Sequence, residues 1–237
     1  MIKISIWSDF ACPYCYIGEM RLLNAINDLG INDKVTVDYR AFELDPKMDP
    51  AKVTGVSERF AGKYNISPEK AAAQIEEISQ LGRDMGIDFK YATALYTNTL
   101  SAHRLMKYAE AKYDADTVAR LNERLFKAYF VDNAVLNDIN VLASAAADVG
   151  MNADEVKIML TGTDYTDAVR ADERRAEDLR VAGVPFFLID EKFAIRGAIS
   201  TEDFKDALKQ MIAHKHQPEH YHDEKPHSCG HNGCDLV

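Results

Sequence analysis

A chain of 237 residues, 47% of them hydrophobic, can bury a substantial core as one large domain or as one domain carrying an insertion. Its formal charge of -10 argues against nucleic acid and anionic membrane surfaces, which are bound through clustered Lys and Arg, and leaves proteins and small molecules as the expected partners. No apolar run approaches membrane-spanning length, and the first residues show no secretory succession of basic, apolar and small residues; the expectation is a cytoplasmic protein, whose cysteine pairs tend to be catalytic or metal-binding.

Ile2-Lys3-Ile4-Ser5-Ile6-Trp7 alternates with the period of a half-buried strand, and residues 15–29 carry Ile17, Leu22, Leu23, Ile26 and Leu29 at helical spacing. Cys12-Pro13-Tyr14-Cys15 sits at the junction. Pro13 suits the first helical turn, which places Cys12 at the helix N-terminus, where free N–H groups and the dipole favour a thiolate. Cys15, one turn further in, is shielded yet close enough to close a disulfide. Thiol-disulfide chemistry is the leading reading of this pair; half a zinc site or a structural bridge are the bland ones. Zinc needs a second ligand pair, and the only other cysteines, Cys229 and Cys234, lie at the far end of the chain. Asp9 and Glu19 flank the motif with negative charge that opposes thiolate formation, so the activation expected for Cys12 is mild.

Gly30 stops the first helix, and residues 35–42 alternate as a second strand, completing a βαβ unit. Pro46 and Pro50 mark a loop. From there to about residue 182 the pattern is helical, beginning with Ser67 as N-cap and Pro68 at the first position. Strand patterning returns at residues 186–189 and 192–196, with Asp190-Glu191 as a hairpin turn, and a last helix covers residues 202–212. The fold class is therefore α/β: a split domain of residues 1–45 and 163–213, opening βαβ and closing αββα, interrupted by an all-helical insertion at 46–162. Residues 214–237, rich in His and poor in apolar residues, read as a flexible tail.

Three segments carry a resemblance. Ser8-Asp9-Phe10-Ala11-Cys12-Pro13-Tyr14-Cys15-Tyr16-Ile17-Gly18, Asn98-Thr99-Leu100-Ser101-Ala102-His103-Arg104 and Val181-Ala182-Gly183-Val184-Pro185-Phe186-Phe187 resemble the thioredoxin-fold DsbA group of disulfide oxidoreductases. More narrowly they look like the FrnE-type branch, related to 2-hydroxychromene-2-carboxylate isomerase and kappa-class glutathione transferases. The likeness spans about residues 1–212. It implies a thioredoxin-like fold, catalytic Cys12 and Cys15, and Pro185 as a cis-proline facing them; an X-Pro at a strand start just after Gly183 is a place where a cis bond is acceptable, a trans Pro ending the preceding helix being the alternative. It also implies that Val184 pairs with a bound thiol peptide beside Pro13 and Tyr14. The isomerases and transferases hold glutathione with a serine where Cys12 stands, so two cysteines favour exchange over isomerisation. Glutathione remains a candidate co-substrate, and no other cofactor is expected.

The function expected is thiol-disulfide oxidoreduction on protein or small-molecule disulfides, Cys12 attacking and Cys15 resolving. A glutathione-dependent isomerase or transferase acting on a small aromatic substrate is the alternative. By the same likeness His103 and Asn98 lie against the site, His103 as a proton shuttle or as a plain interface histidine. Trp7, Phe10 and Tyr16 are candidates for the thiol groove or for the core. In the tail, Cys229 and Cys234 form a possible secondary redox pair; alternatively His227, Cys229, His231 and Cys234 bind zinc or copper, which would make the chain a redox sensor or metal binder, or the tail is inert.

Overall fold

The computed structural model describes residues 1–215 and 234–236. Strand β1 (Ile2–Ser8) leads into helix α1 (Pro13–Asp28) and returns in β2 (Val35–Ala41), parallel to β1 with Ile2 opposite Val35 and Ser8 opposite Ala41. The reversal after α1 uses Gly30 at φ 62, a left-handed conformation that glycine adopts without a Cβ penalty. Strands β5 (Phe186–Ile189) and β6 (Phe193–Arg196) form the hairpin, with β5 antiparallel to β1. Asp190 and Glu191 both take positive φ, as a two-residue hairpin turn requires.

Between β2 and β5 run a two-residue strand β3 (Thr54–Gly55), helices α2 (Val56–Tyr64) and α3 (Pro68–Arg83), strand β4 (Leu95–Tyr96), and helices α4 (Leu100–Lys112), α5 (Ala115–Phe130), α6 (Ile139–Asp148), α7 (Ala153–Thr161) and α8 (Thr166–Asp178). Several of these helices begin where a short polar side chain takes up a free N–H: Ser67 accepts from Lys70, Asp114 from Thr117, Asn152 from Asp154 and Glu155. The insertion is thus not all helical. Strands β3 and β4 pair antiparallel, Thr54 opposite Tyr96, in segments too short to show a period in sequence.

Helix α9 (Thr201–Lys215) follows β6, and a final strand β7 (Cys234–Leu236) pairs with β6, giving the sheet order β2-β1-β5-β6-β7. The tail is therefore not wholly irregular: β6 would otherwise be an edge with unpaired backbone groups, and β7 covers it. The expected tail sites at His227, Cys229 and His231 lie outside the described residues, and of Cys234 only its place in β7 is described.

The two faces of β1 set the layers. Ile2, Ile4 and Ile6 join α1, α9 and the insertion helices in one core, while Trp7 packs with Phe186, Leu188 and Ala176 beneath α8. An aromatic stack carries the larger core from the sheet layer into the insertion: Tyr16 of α1 lies flat on Phe126 of α5 at 4.9 Å, and Phe130 continues to Phe89 at 4.6 Å. The insertion shares its core with the sheet layer, which fixes the wall it builds against the start of α1.

Candidate active site

The chain leaves β1 through Asp9, Phe10 and Ala11, and Cys12 caps α1 in an extended conformation with Pro13 at the first helical position. The cap has no side-chain hydrogen bond into the helix and the first turn carries no acidic residue; Pro13 has no N–H, and the Cys15 N–H donates to the Cys12 carbonyl at 3.1 Å. Both Cys12 and Cys15 are free thiols. Cys12 is 6% exposed and Cys15 fully buried. The Cys12 thiol donates to the Val184 carbonyl at 3.7 Å, and the Val184–Pro185 peptide bond is cis. Helix α1 comes this close to the β5 approach because of Gly18: a Cβ there would lie 3.0 Å from Pro185 and 3.3 Å from Phe187.

Burial first, then its contacts with Cys12, pushes the Cys15 thiol well above the ordinary thiol value, while the Asp9 backbone and the Ser8 hydroxyl pull it back. Behind it, Glu19 is wholly enclosed. Ser8 Oγ donates to Glu19 Oε1 at 2.8 Å and Asn122 Nδ2 to Oε2 at 2.6 Å, yet burial outweighs both bonds and lifts the Glu19 carboxyl to about 7. Glu19 is therefore a buried carboxyl held between Ser8 and Asn122. Asp9 holds the loop: it accepts from the backbone N–H of Ala11 at 3.1 Å and of Leu44 at 2.6 Å.

Cys12 opens into a cavity of about 230 Å³ whose walls include Pro13, Tyr14, Val184, Arg59, Lys63, Tyr64, Tyr91 and Tyr96. Arg59 is held by Asp45 at 2.6 Å and lies 3.8 Å from the centre of the Tyr96 ring. Tyr14 stands 44% exposed at the rim. Sequence reasoning missed the wall from α2, α3 and the segment before α4, because nothing in the spacing of Arg59, Lys63 or Tyr91 links them to Cys12; a cation beside aromatics in the insertion was the available signal.

The structure brings Pro13, Tyr14 and Val184 to Cys12 and places Phe10, Trp7 and Tyr16 elsewhere. Phe10 is core, 5.0 Å from Phe126; Trp7 donates its indole N–H to the Asp172 carbonyl at 2.9 Å on the other face of the sheet; Tyr16 is in the aromatic stack. The sequence shows aromatics beside a strand but not which way each turns. Asn98 is buried as a pin, donating to the Met48 carbonyl at 3.2 Å and accepting from Leu100 N at 3.0 Å. His103 is 4% exposed and tilted on Phe10 at 5.1 Å, its Nε2 3.8 Å from Asp9 Oδ1 and without a hydrogen-bond partner among the described residues. Neither Asn98 nor His103 lines the cavity. His103 stands against Asp9 and Phe10 of the loop ahead of Cys12.

Residues 3–209 match the family model of the DSBA-like thioredoxin domain. The chain belongs to that family. Over its whole length it is 32% identical to a probable DsbA oxidoreductase from Streptomyces coelicolor, covering 100% of each chain with a TM-score of 0.86. It shares its fold with 2-hydroxychromene-2-carboxylate isomerase, at 15% identity over 90% of this chain and 97% of that one and a TM-score of 0.66. It does so too with the cytosolic disulfide reductase DsbM of Pseudomonas aeruginosa solved with glutathione, at 17% identity over 89% and 99% of the two chains and a TM-score of 0.60. Membership places the protein among DsbA-like oxidoreductases of the thiol-disulfide or isomerase class. No helix among the described residues is long and apolar enough to cross a membrane.

Proposed function

We propose that this DsbA-like protein is a cytoplasmic thiol-disulfide oxidoreductase that works through Cys12 and Cys15. The observation that carries the reading is the asymmetry of the pair: Cys12 caps α1 and lines the open cavity, while Cys15 is enclosed behind it. Cys12 thiolate attacks a sulfur of the substrate disulfide, forming Cys12–S–S–substrate and expelling the first substrate thiolate. Cys15 then attacks Cys12 Sγ, closing the protein disulfide and expelling the second. The Val184 backbone beside Cys12 is offered to a peptide substrate, and Pro13 and Tyr14 form the near rim. Reduction of insulin by dithiothreitol tests this: the wild type turns over, Cys12→Ser abolishes turnover, and Cys15→Ser accumulates a mixed disulfide. A wild type that gives no turnover refutes the reading.

One observation favours a second reading. Arg59 and Lys63 give the aromatic cavity a cationic side suited to an anionic thiol such as glutathione, and the fold is that of an isomerase and of a reductase solved with glutathione. A glutathione-dependent isomerase or transferase acting on a small aromatic substrate would keep activity after Cys15→Ser, whereas the exchange cycle would stall there.

A further inference from the structure

A second cavity, of about 140 Å³, opens between α1 and α5 and shares no wall residue with the one at Cys12. Tyr16, Glu19, Asn122 and Phe126 form the enclosed part of its wall, and the exposed Leu23 stands at its mouth. Two groups in that wall lack what burial ordinarily demands. The carboxyl of Glu19 is 2% exposed, yet both of its hydrogen-bond partners, Ser8 and Asn122, are neutral, and a buried carboxylate without a counter-charge is costly. A carboxylate offers about four lone-pair sites, so these two bonds leave acceptors free. Tyr16, three residues earlier on the same helix, is 1% exposed, and its Oη has no hydrogen-bond partner among the described residues. A ligand in the cavity that supplies positive charge and donors would satisfy both.

The other charges of the wall select the sign of that ligand. Arg120 is the basic residue of the wall, and its guanidinium is committed to Asp116 at 2.9 Å, the Val149 carbonyl at 3.1 Å and the Thr117 hydroxyl at 3.1 Å. Glu123, on the same helix, gives one oxygen to Lys127 at 2.6 Å and keeps the other. Burial, and then the nearby Glu19 and Glu123, push the phenols of Tyr16 and Tyr39 upward, so both stay neutral. The uncommitted charge is therefore negative. No cluster of three metal-ligating side chains is present among the described residues, which favours an organic cation over a metal ion. Met20, Leu23 and Phe126 give an alkyl chain an apolar wall, and the aromatic rings add attraction for an ammonium group. A cavity of roughly 150 Å³ takes benzene, which sets the ligand at about six heavy atoms. We propose that this second cavity binds a small alkylammonium ion, its ammonium group paired with Glu19 and donating to Tyr16 Oη, its chain against Met20, Leu23 and Phe126.

Thermal unfolding of the reduced full-length protein in butylammonium chloride, against sodium chloride and sodium butyrate at equal ionic strength, reads occupancy. The melting temperature should rise saturably with butylammonium and with neither control. Because the ligand pairs with ionised Glu19, whose carboxyl titrates at about 7, the half-saturating concentration should rise roughly 30-fold between about pH 8 and about pH 5.5. Tyr16→Phe should weaken binding several-fold, and Glu19→Gln should abolish the shift. Leu23→Trp, which fills the mouth from an exposed position, should abolish it too, and it carries the test if Glu19→Gln does not fold. No saturable shift in the wild type, or an equal one in Leu23→Trp, overturns the site. A shift matched by butyrate, or retained in folded Glu19→Gln, overturns the pairing of a cation with Glu19. No thiol exchange enters these measurements, so they stand or fall separately from the thiol-disulfide reading.

Discussion

Replacing Glu19 by Gln should change how stability responds to pH, independently of any catalytic role. In the unfolded chain the Glu19 carboxyl titrates near 4.5, and in the folded chain burial raises it to about 7. The folded state therefore binds the proton more tightly than the unfolded state between these values. Protonated Glu19 contributes its full stabilising difference below about pH 4.5, and that contribution is lost as pH rises through about 7. At about 1.4 kcal/mol per unit the shift corresponds to about 3 kcal/mol. The substituted amide can keep both contacts, accepting from Ser8 and donating to Asn122 once the Asn122 amide turns over. Urea denaturation of the reduced proteins, compared pairwise so that all other titrations cancel, should show Glu19→Gln gaining on the wild type by about 3 kcal/mol between about pH 4 and about pH 8.5. A difference that stays flat across that range would refute the assignment of a buried, proton-binding carboxyl.

Three further outcomes follow from the packing. Asp172→Ala should cost about 3–5 kcal/mol and lower the melting temperature, because Asp172 holds Lys107 at 2.7 Å and Arg40 at 2.9 Å, and the buried Lys107 ammonium would lose one of its two counter-charges. Gly82→Ala should lower it despite alanine's better helix propensity: the new Cβ would sit 2.5 Å from the Phe89 ring, and overpacking of about 1–3 kcal/mol outweighs a gain of about 1. Lys63→Ala should raise the KM for glutathione disulfide several-fold at low ionic strength, an effect that added salt erases, because Lys63 lines the cavity as a surface charge while Arg59 is already tied to Asp45; an unchanged KM would count against an anionic substrate.

The parts of this fold that were legible in sequence are those in which local pattern and tertiary role coincide. Alternation over Ile2 to Trp7 made β1, Pro13 made the start of α1, and the two apolar runs around Asp190-Glu191 made the hairpin, because each is decided by residues within one turn or one strand. The extension of the sheet by β7 was not legible, since Cys234–Leu236 has neither length nor period to mark a strand and gains its backbone partners only from the exposed edge of β6. The direction of side chains across layers was equally hidden. Trp7, Phe10 and Tyr16 are all apolar neighbours of the thiol motif, yet one turns under α8 and two into the insertion's aromatic stack, leaving the groove to residues tens of positions away. Glu19 was visible as an acid near the motif, but its partners Ser8 and Asn122 were not, since they lie 11 and 103 positions away.

The two enclosed acids near the motif differ in what holds them, and that difference separates their uses. Both Asp9 oxygens accept from backbone N–H groups, of Ala11 and Leu44, which can donate but never accept. Such bonds fix the position of the loop ahead of Cys12 and couple it to the start of the insertion. Glu19 is held by a hydroxyl and a side-chain amide, each of which also carries an acceptor. When a proton arrives on Glu19, either partner can reverse its bond, so the protonated and ionised forms are both satisfied without moving the backbone. Glu19 also lines the second cavity, of about 140 Å³, between α1 and α5.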